Sequence, residues 1–297
     1  SIKTISDNVS KKVRDQYEYN PYPRWINTGL SLKPVPFSEI NKNLKLRLID
    51  KRIIDIEAPN ILIAGCGTGQ QSIYVASTFK NAKILSVDLS LSSLAYAKRK
   101  TNELGIQNID YMQADILDLS KLNRKFDIIY CSGVLHHMDQ PMAGWRSLIN
   151  CLEEGGLMNI GLYSNLARQH IVKIRRELKQ LGIGSDDDVI RSFRRDLINS
   201  GEEHHKKIRR SYNFYSLSEI RDLLFHVREH RFTIHEIKDC LAELNIEFCG
   251  FGSDVILRDF NQVYSKEADL YNLEKWNQFE EVNQNAFIAM YQFWCQR

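Results

Sequence analysis

Short, mostly apolar runs alternate with amphipathic stretches from residue 57 to residue 163. The runs are Ile61-Leu62-Ile63-Ala64, Lys83 to Val87, Ile109 to Met112, Phe126 to Cys131 and Leu157 to Tyr163. A run without polar alternation suits a strand covered on both faces. The stretches 70–80, 90–104 and 141–152 have helical spacing, with Ser90 and Ser92-Ser93 as cap residues and Gly105 as a stop. Strands alternating with helices predict a parallel sheet with right-handed crossovers. Residues 1–16 read as a short helix. Residues 37–56 carry Ile40, Leu44, Leu48 and Ile49 at helical spacing. From 165 the pattern is helical only, and 246–252 and 286–294 read as two more strands, joined by a charged helical segment with Trp276 and Phe279. The expectation is an α/β, doubly wound, mostly parallel seven-strand sheet with a helical insertion between strands 5 and 6. It divides into an N-terminal helical segment and aromatic strap (1–56), a binding core (57–164), an insertion (165–244) and two closing strands (245–297).

Composition narrows the class. Hydrophobic residues make up 43% and charged residues 26% of the 297, as in a globular protein. No apolar run approaches the roughly 20 residues of a membrane span, and no signal peptide is visible. The six cysteines form no C-x-x-C pair, which reads as reduced thiols and a cytoplasmic setting. A net charge of +3 does not by itself argue for nucleic acid. The chain starts at Ser1 rather than Met, which reads as a piece of a longer protein.

The first run stops at Gly65-Cys66-Gly67-Thr68-Gly69-Gln70. Glycine permits positive φ and close approach of a ligand to backbone, and the following helix offers unpaired N–H groups. Asp88, ending the second strand, can accept two ribose hydroxyls. Asp115, after the third, can accept an adenine amine. The turn lacks both the longer G-x-G-x-x-G spacing of dinucleotide sites and the Lys-Ser/Thr of a P-loop. An adenosine cofactor without pyrophosphate fits best.

These residues resemble the motifs of class I S-adenosylmethionine-dependent methyltransferases. Gly65 to Gly69 resemble the first motif, Asp88 the ribose acid and Ala114-Asp115-Ile116 the adenine segment. Phe126 to Tyr130, Gly133-Val134-Leu135-His136-His137-Met138 and Leu152-Glu153-Glu154-Gly155-Gly156 resemble the fourth strand, its turn and the turn before the fifth strand. The resemblance implies a Rossmann-like fold and S-adenosyl-L-methionine as cofactor, held by Gly65, Cys66, Gly67, Gly69, Gln70, Asp88, Leu89, Asp115, Ile116, Ser132 and Gly133. One position departs: the family's acid two residues before the first glycine is Ile63 here. Another group must then hold the methionine end, since burying its charges unpaired is costly. Arg24 is the candidate for its carboxylate, with Trp25 beside it on the strap Tyr17-Glu18-Tyr19-Asn20-Pro21-Tyr22-Pro23-Arg24-Trp25, and the Gly65 backbone and Gln70 side chain are candidates nearby. The strap's two prolines exclude a regular helix. The strap reads either as packing across the domain or as a lid.

Methyl transfer asks the protein to align an acceptor and, for a protonated amine, to take up a proton. His137, His136 and Tyr163 are the catalytic candidates, the histidines having packing as their alternative role. Acceptor candidates are Tyr17, Tyr22, Tyr212, Tyr215, His226, Glu229 and His230. The last three form H-x-x-E-H, which on a helix puts two imidazoles on one face; it reads as a structural or acceptor-facing cluster, and no metal is expected. The insertion is basic, with twelve Lys/Arg against seven Asp/Glu between 165 and 210. Without interleaved aromatics this suits a solvated face or an acidic protein more than RNA. Residues 13–25, 223–233 and 290–294 are similar to a bacterial methyltransferase domain that often follows tetratricopeptide repeats, and to rickettsial protein lysine methyltransferases. That implies a protein partner with a lysine acceptor and an upstream tetratricopeptide-type domain in the full chain. A small-molecule N- or O-methyltransferase is the alternative, and a binding module without activity a third reading.

Overall fold

Each apolar run becomes a strand of one sheet in the computed structural model, which describes residues 4–31 and 33–297. The strands are β1 (Asn60–Ala64), β2 (Lys83–Asp88), β3 (Ile109–Gln113), β4 (Phe126–Ser132), β5 (Leu152–Leu162), β6 (Glu247–Phe251) and β7 (Tyr291–Gln296). Their order is β3-β2-β1-β4-β5-β7-β6. The first five are parallel, and β7 is antiparallel to β5 and β6. The order reverses between β1 and β4, which opens a crevice at their C-terminal ends.

The helices in chain order are α1 (Asn8–Tyr19), α2 (Phe37–Leu44), α3 (Gln70–Thr78), α4 (Leu91–Glu103), α5 (Pro141–Asn150), α6 (Gln169–Gln180), α7 (Asp187–Asn199), α8 (Glu203–Arg209), α9 (Leu217–Phe225), α10 (Ile234–Leu244), α11 (Asp254–Asn261) and α12 (Leu273–Val282). Successive strand residues face opposite ways. Ile61 and Ile63 pack with Ile73 and Val75 of α3 and Leu94 of α4. Leu62 and Ala64 belong to the other face, with Trp145 of α5, Ile237 of α10 and Trp276 of α12. Both faces are covered, which is why the strand sequences show no polar alternation. Helices α6 to α9 form their own apolar cluster around Ile174, Ile190, Phe214 and Ile220. Helix α10 instead packs with the sheet, so only part of the 165–244 segment forms a separate layer.

Several boundaries differ from the sequence expectation. Helix α1 runs on to Tyr19, so Tyr17 projects from a helix rather than from an extended strap. Pro21 and Pro23 fall just beyond its end, where they stop rather than prevent it. Helical spacing in 37–56 yields α2 and, beyond the left-handed Lys45 at φ 52°, a single 3-10 turn at Arg52–Asp55. Strand β7 spans 291–296 rather than 286–294. Phe287 is buried ahead of it, against Phe251 and Tyr291, so the apolar run there serves packing rather than pairing.

Candidate functional site

The glycine turn after β1 is held by backbone pairing and by one carboxylate. Gly65 and Cys66 donate their N–H groups to the Val87 carbonyl at 2.8 and 2.9 Å. Asp88 Oδ2 accepts from Gly67 N at 2.8 Å, and Oδ1 accepts from Ser90 N at 2.9 Å. Burial pushes the Asp88 carboxyl up, against the lowering effect of those N–H groups. The turn also receives the strap. Thr68 N donates to the Tyr22 carbonyl at 3.1 Å, Thr68 Oγ1 donates to the Pro23 carbonyl at 2.6 Å, and Trp25 Nε1 donates to Thr68 Oγ1 at 3.0 Å. Gly67 has φ +51°, and a Cβ there would lie 2.4 Å from the Tyr22 carbonyl oxygen. Gly67→Ala should therefore cost about 1–3 kcal/mol and release the strap. Limited proteolysis near residues 20–30 and the urea midpoint would check this.

A cavity of about 400 Å³ opens over the turn, between the ends of β1, β2, β4 and the strap. Of the expected cofactor residues, Gly65, Cys66, Gly67, Gln70, Asp88, Leu89, Asp115, Ile116, Ser132 and Gly133 line it. Asp115 accepts from Leu117 N at 3.0 Å, and burial pushes its carboxyl up. Gly69 stands back from the cavity: a Cβ there would meet Ala97 Cβ at 2.6 Å, so this glycine brings α4 close to the turn. Ser10, Val13, Gln71, Met138, Asp222 and Met290 also line the cavity, and none was expected to.

Arg24 and Trp25 need correction. Arg24 is exposed, with its Nη2 3.4 Å from Asn20 Oδ1, and Trp25 is buried beneath the strap. The strap enters the cavity through Tyr17, Tyr22 and Pro23 instead. The Trp25–Thr68 bond fixes the chain direction so that the neighbouring Arg24 faces outward.

The charge of the cavity tests the expected cofactor. Asp88, Asp115 and Asp222 line it, and among the described residues no lysine or arginine does. Such walls repel phosphates and attract cations. S-adenosylmethionine, with a sulfonium, an ammonium and one carboxylate, is a net cation and fits. Of the candidates for its carboxylate, the neutral donor Gln70 lines the cavity with Gln71 beside it, and Arg24 does not.

Aromatic rings and buried acids close the other end. His136 is fully buried behind Tyr163, stacked at 3.8 Å between centroids, and does not line the cavity. His137 and Tyr163 do. His137 stacks on His226 at 3.5 Å, and its Nδ1 lies 2.6 Å from the Arg228 carbonyl. Burial pushes His137 down to about 3 and His226 down to about 2. Both are neutral near pH 7 and poor proton acceptors. The acid that sequence reading passed over is Asp222. It accepts from the Tyr17 hydroxyl at 2.7 Å, and that hydroxyl lies 3.1 Å from His226 Nε2. Burial, with the charge of Glu219 adding to it, outweighs the Tyr17 hydrogen bond and pushes Asp222 up to about 6. Glu219 accepts from the Tyr22 hydroxyl at 3.0 Å. The signal in the sequence was two acids three apart, Glu219 and Asp222, on a helix whose Leu217, Ile220, Leu223 and Leu224 pack inward.

The H-x-x-E-H residues do not share a helix face, because α9 ends at Phe225. The segment beyond is tied to β5 and the β4 turn: Phe232 N donates to the Tyr163 carbonyl at 2.8 Å, and His230 N to the His136 carbonyl at 2.7 Å. Glu229 faces cations rather than a cavity. It pairs with Arg168 at 2.7 Å, Arg231 at 3.3 Å and Arg175 at 3.6 Å. Burial pushes its carboxyl up, but these guanidiniums outweigh that and hold it below the usual range. Arg168 also lies 3.6 Å from the Tyr163 ring centre, so the cluster braces that ring. Glu229→Gln would leave Arg168 buried without its partner. It should destabilise the fold by about 3–5 kcal/mol, read as a lower thermal midpoint. Tyr215 is exposed, and the Tyr212 side chain lies outside the described residues. Elsewhere, Glu177 lies between His204 and His205, at 2.5 and 2.6 Å from their Nε2 atoms.

Residues 61–156 match a family model described as a methyltransferase domain. A protein of Synechococcus sp. described as uncharacterized is 28% identical over 229 residues, covering 70% of this chain and 55% of its own length. A ubiquinone biosynthesis O-methyltransferase of Glaesserella parasuis is 27% identical over 175 residues, 57% of this chain and 70% of that protein. The structure of PKMT2 from Rickettsia typhi superposes with a TM-score of 0.67 at 18% identity, over 93% of this chain and 54% of that one. Its complex with AdoHcy gives 0.61 at 19% identity, with the same coverage. This chain thus spans about half the length of the Synechococcus and Rickettsia proteins.

Proposed function

We propose that this chain is a class I S-adenosylmethionine-dependent methyltransferase and that it methylates the side-chain amine of a protein lysine. One observation carries the choice of acceptor. The cofactor cavity meets a second, wider cavity at Tyr22, Tyr163, Asp222 and Met290. A buried carboxylate among phenol rings suits an ammonium group, through charge and cation–π attraction. The wider cavity, about 810 Å³, leaves room for more than a small acceptor.

S-adenosylmethionine, when bound, supplies an electrophilic methyl group on sulfur. The protein's part is to deliver a neutral amine and exclude water. A lysine arrives as an ammonium ion; Asp222 attracts it and takes one of its protons, leaving a lone pair on nitrogen and a neutral carboxyl. Tyr17 and Tyr22 orient the two acids, and Tyr163, braced by Arg168, walls the junction. His137 and His226 act as neutral packing.

Incubating the protein with a cell extract and tritium-labelled cofactor should place label in protein, in lysine after hydrolysis. Label confined to small molecules would overturn the lysine reading. The likeness to an O-methyltransferase favours that second reading, with an oxygen of a small molecule as acceptor. All six cysteines are free, and no described helix is long and apolar enough to cross a membrane. We place the reaction in the cytoplasm on the first of these observations.

A further inference from the structure

The wider cavity reverses sign from its inner to its outer end. At the inner end the acids Asp222 and Glu219 are hydrogen-bonded to Tyr17 and Tyr22. Farther out it is lined by Lys173, Lys206, Lys207 and Arg210, with Glu203 the opposing acid. Glu203 is paired with Lys206 at 2.6 Å. Arg168, which also lines the cavity, is paired with Glu229. Among the described residues Lys173, Lys207 and Arg210 make no ion pair. Lys207 is partly buried, and that burial pushes its amine down, as for a cation short of a counter-charge. His170 is a further lining residue, only 8% exposed, and burial pushes it down to about 4, so it adds no cation to the wall. The outer wall thus holds unpaired cations, while the inner wall holds acids. A ligand complementary to both carries a cation at its inner end and anions a few ångströms out.

We infer that the wider cavity is a subsite for acidic residues flanking the acceptor lysine of a polypeptide substrate. This rests on the lysine proposal and goes beyond it by naming the sequence context. Opposite charge along the cavity also sets polarity. A lysine entering with acidic neighbours places its ammonium by Asp222 and its neighbours' carboxylates by Lys173, Lys207 and Arg210. A lysine among basic neighbours meets repulsion at the outer wall.

The test uses the full chain and three peptides, each with one lysine flanked by glutamate, glutamine or arginine. The glutamate peptide should have a kcat/KM about tenfold above the glutamine peptide. The difference should lie mostly in KM and shrink in about 0.5 M salt. A Lys173→Glu, Lys207→Glu, Arg210→Glu variant should reverse the ranking in favour of the arginine peptide. None of the three residues lines the cofactor cavity, so S-adenosylhomocysteine titration reports that the variant is folded. Equal kcat/KM for the glutamate and glutamine peptides with the unaltered protein would overturn the inference and leave the lysine proposal standing. Inhibition by poly-uridine RNA but not by poly-glutamate would also overturn it, since the wall would then read phosphates. Methylation of a small phenol and of none of the peptides would overturn both.

Discussion

Asp88→Ala should lower the affinity for S-adenosylhomocysteine about a hundredfold or more. The carboxylate lines the cofactor cavity and also fixes the turn that forms its floor. Alanine removes the acceptor for Gly67 N and for Ser90 N, and with it the anion expected to meet the ribose. Each hydrogen bond to a charged group contributes about 1.5–3 kcal/mol, so losing two or three easily reaches a hundredfold. The two functions of Asp88 separate in Asp88→Asn. The amide keeps one carbonyl acceptor but turns the other atom into a donor, which meets the Gly67 or Ser90 N–H unfavourably. Asparagine should therefore recover only part of the affinity. Isothermal titration with the product measures this without requiring an acceptor. An unchanged affinity in Asp88→Ala would remove the ribose assignment.

Asp222→Asn carries the second large effect, on rate rather than on cofactor binding. An asparagine of the same shape still accepts from Tyr17 but can neither attract an ammonium nor take its proton. The kcat/KM for a lysine peptide should fall about a hundredfold or more. In the parent protein the acid limb of kcat/KM should lie near pH 6, because burial raises Asp222 to about that value. Activity needs the ionised form, so it falls as pH drops through 6; in Asp222→Asn that limb should vanish. Stability moves the other way. Between the ordinary carboxyl value of 3.8 and about 6, the folded protein holds a proton that the unfolded chain has lost. Stability therefore falls as pH rises through this window. A rise from 3.8 to about 6 corresponds to about 3 kcal/mol. The asparagine variant should be more stable than the parent at pH 7 by up to about that amount, and the gap should close toward pH 4. Chemical denaturation at the two pH values gives the comparison. A less active but more stable variant is what a functional buried acid predicts; a structural acid would lose stability.

The cofactor end was legible because its requirements are local. Gly65, Gly67 and Gly69 all have positive φ, and Asp88 anchors the turn from the next strand, in register with β1. Backbone conformation and strand spacing impose these residue types wherever the chain builds such a turn. The alternation of apolar runs and helices likewise fixed the seven-strand sheet, since a run buried on both faces has few other uses. Boundaries were less secure where packing replaced pairing, as at Phe287, or where one left-handed residue ended a helix, as at Lys45.

The acceptor end was not legible because no local rule creates it. Tyr17 and Asp222 are 205 residues apart and meet only when α1 and α9 pack over the open end of the sheet. The same packing hides His136, turns Glu229 toward arginines and leaves Arg24 in solvent. Sequence by itself determined the sheet, the turn and the acids Asp88 and Asp115 that line the cavity above it, because these follow from backbone geometry within single βα units. Tertiary structure alone decided which acid is buried enough to titrate near neutrality, which histidines are inert and where the cations gather, because burial and charge proximity depend on segments that the sequence does not bring together.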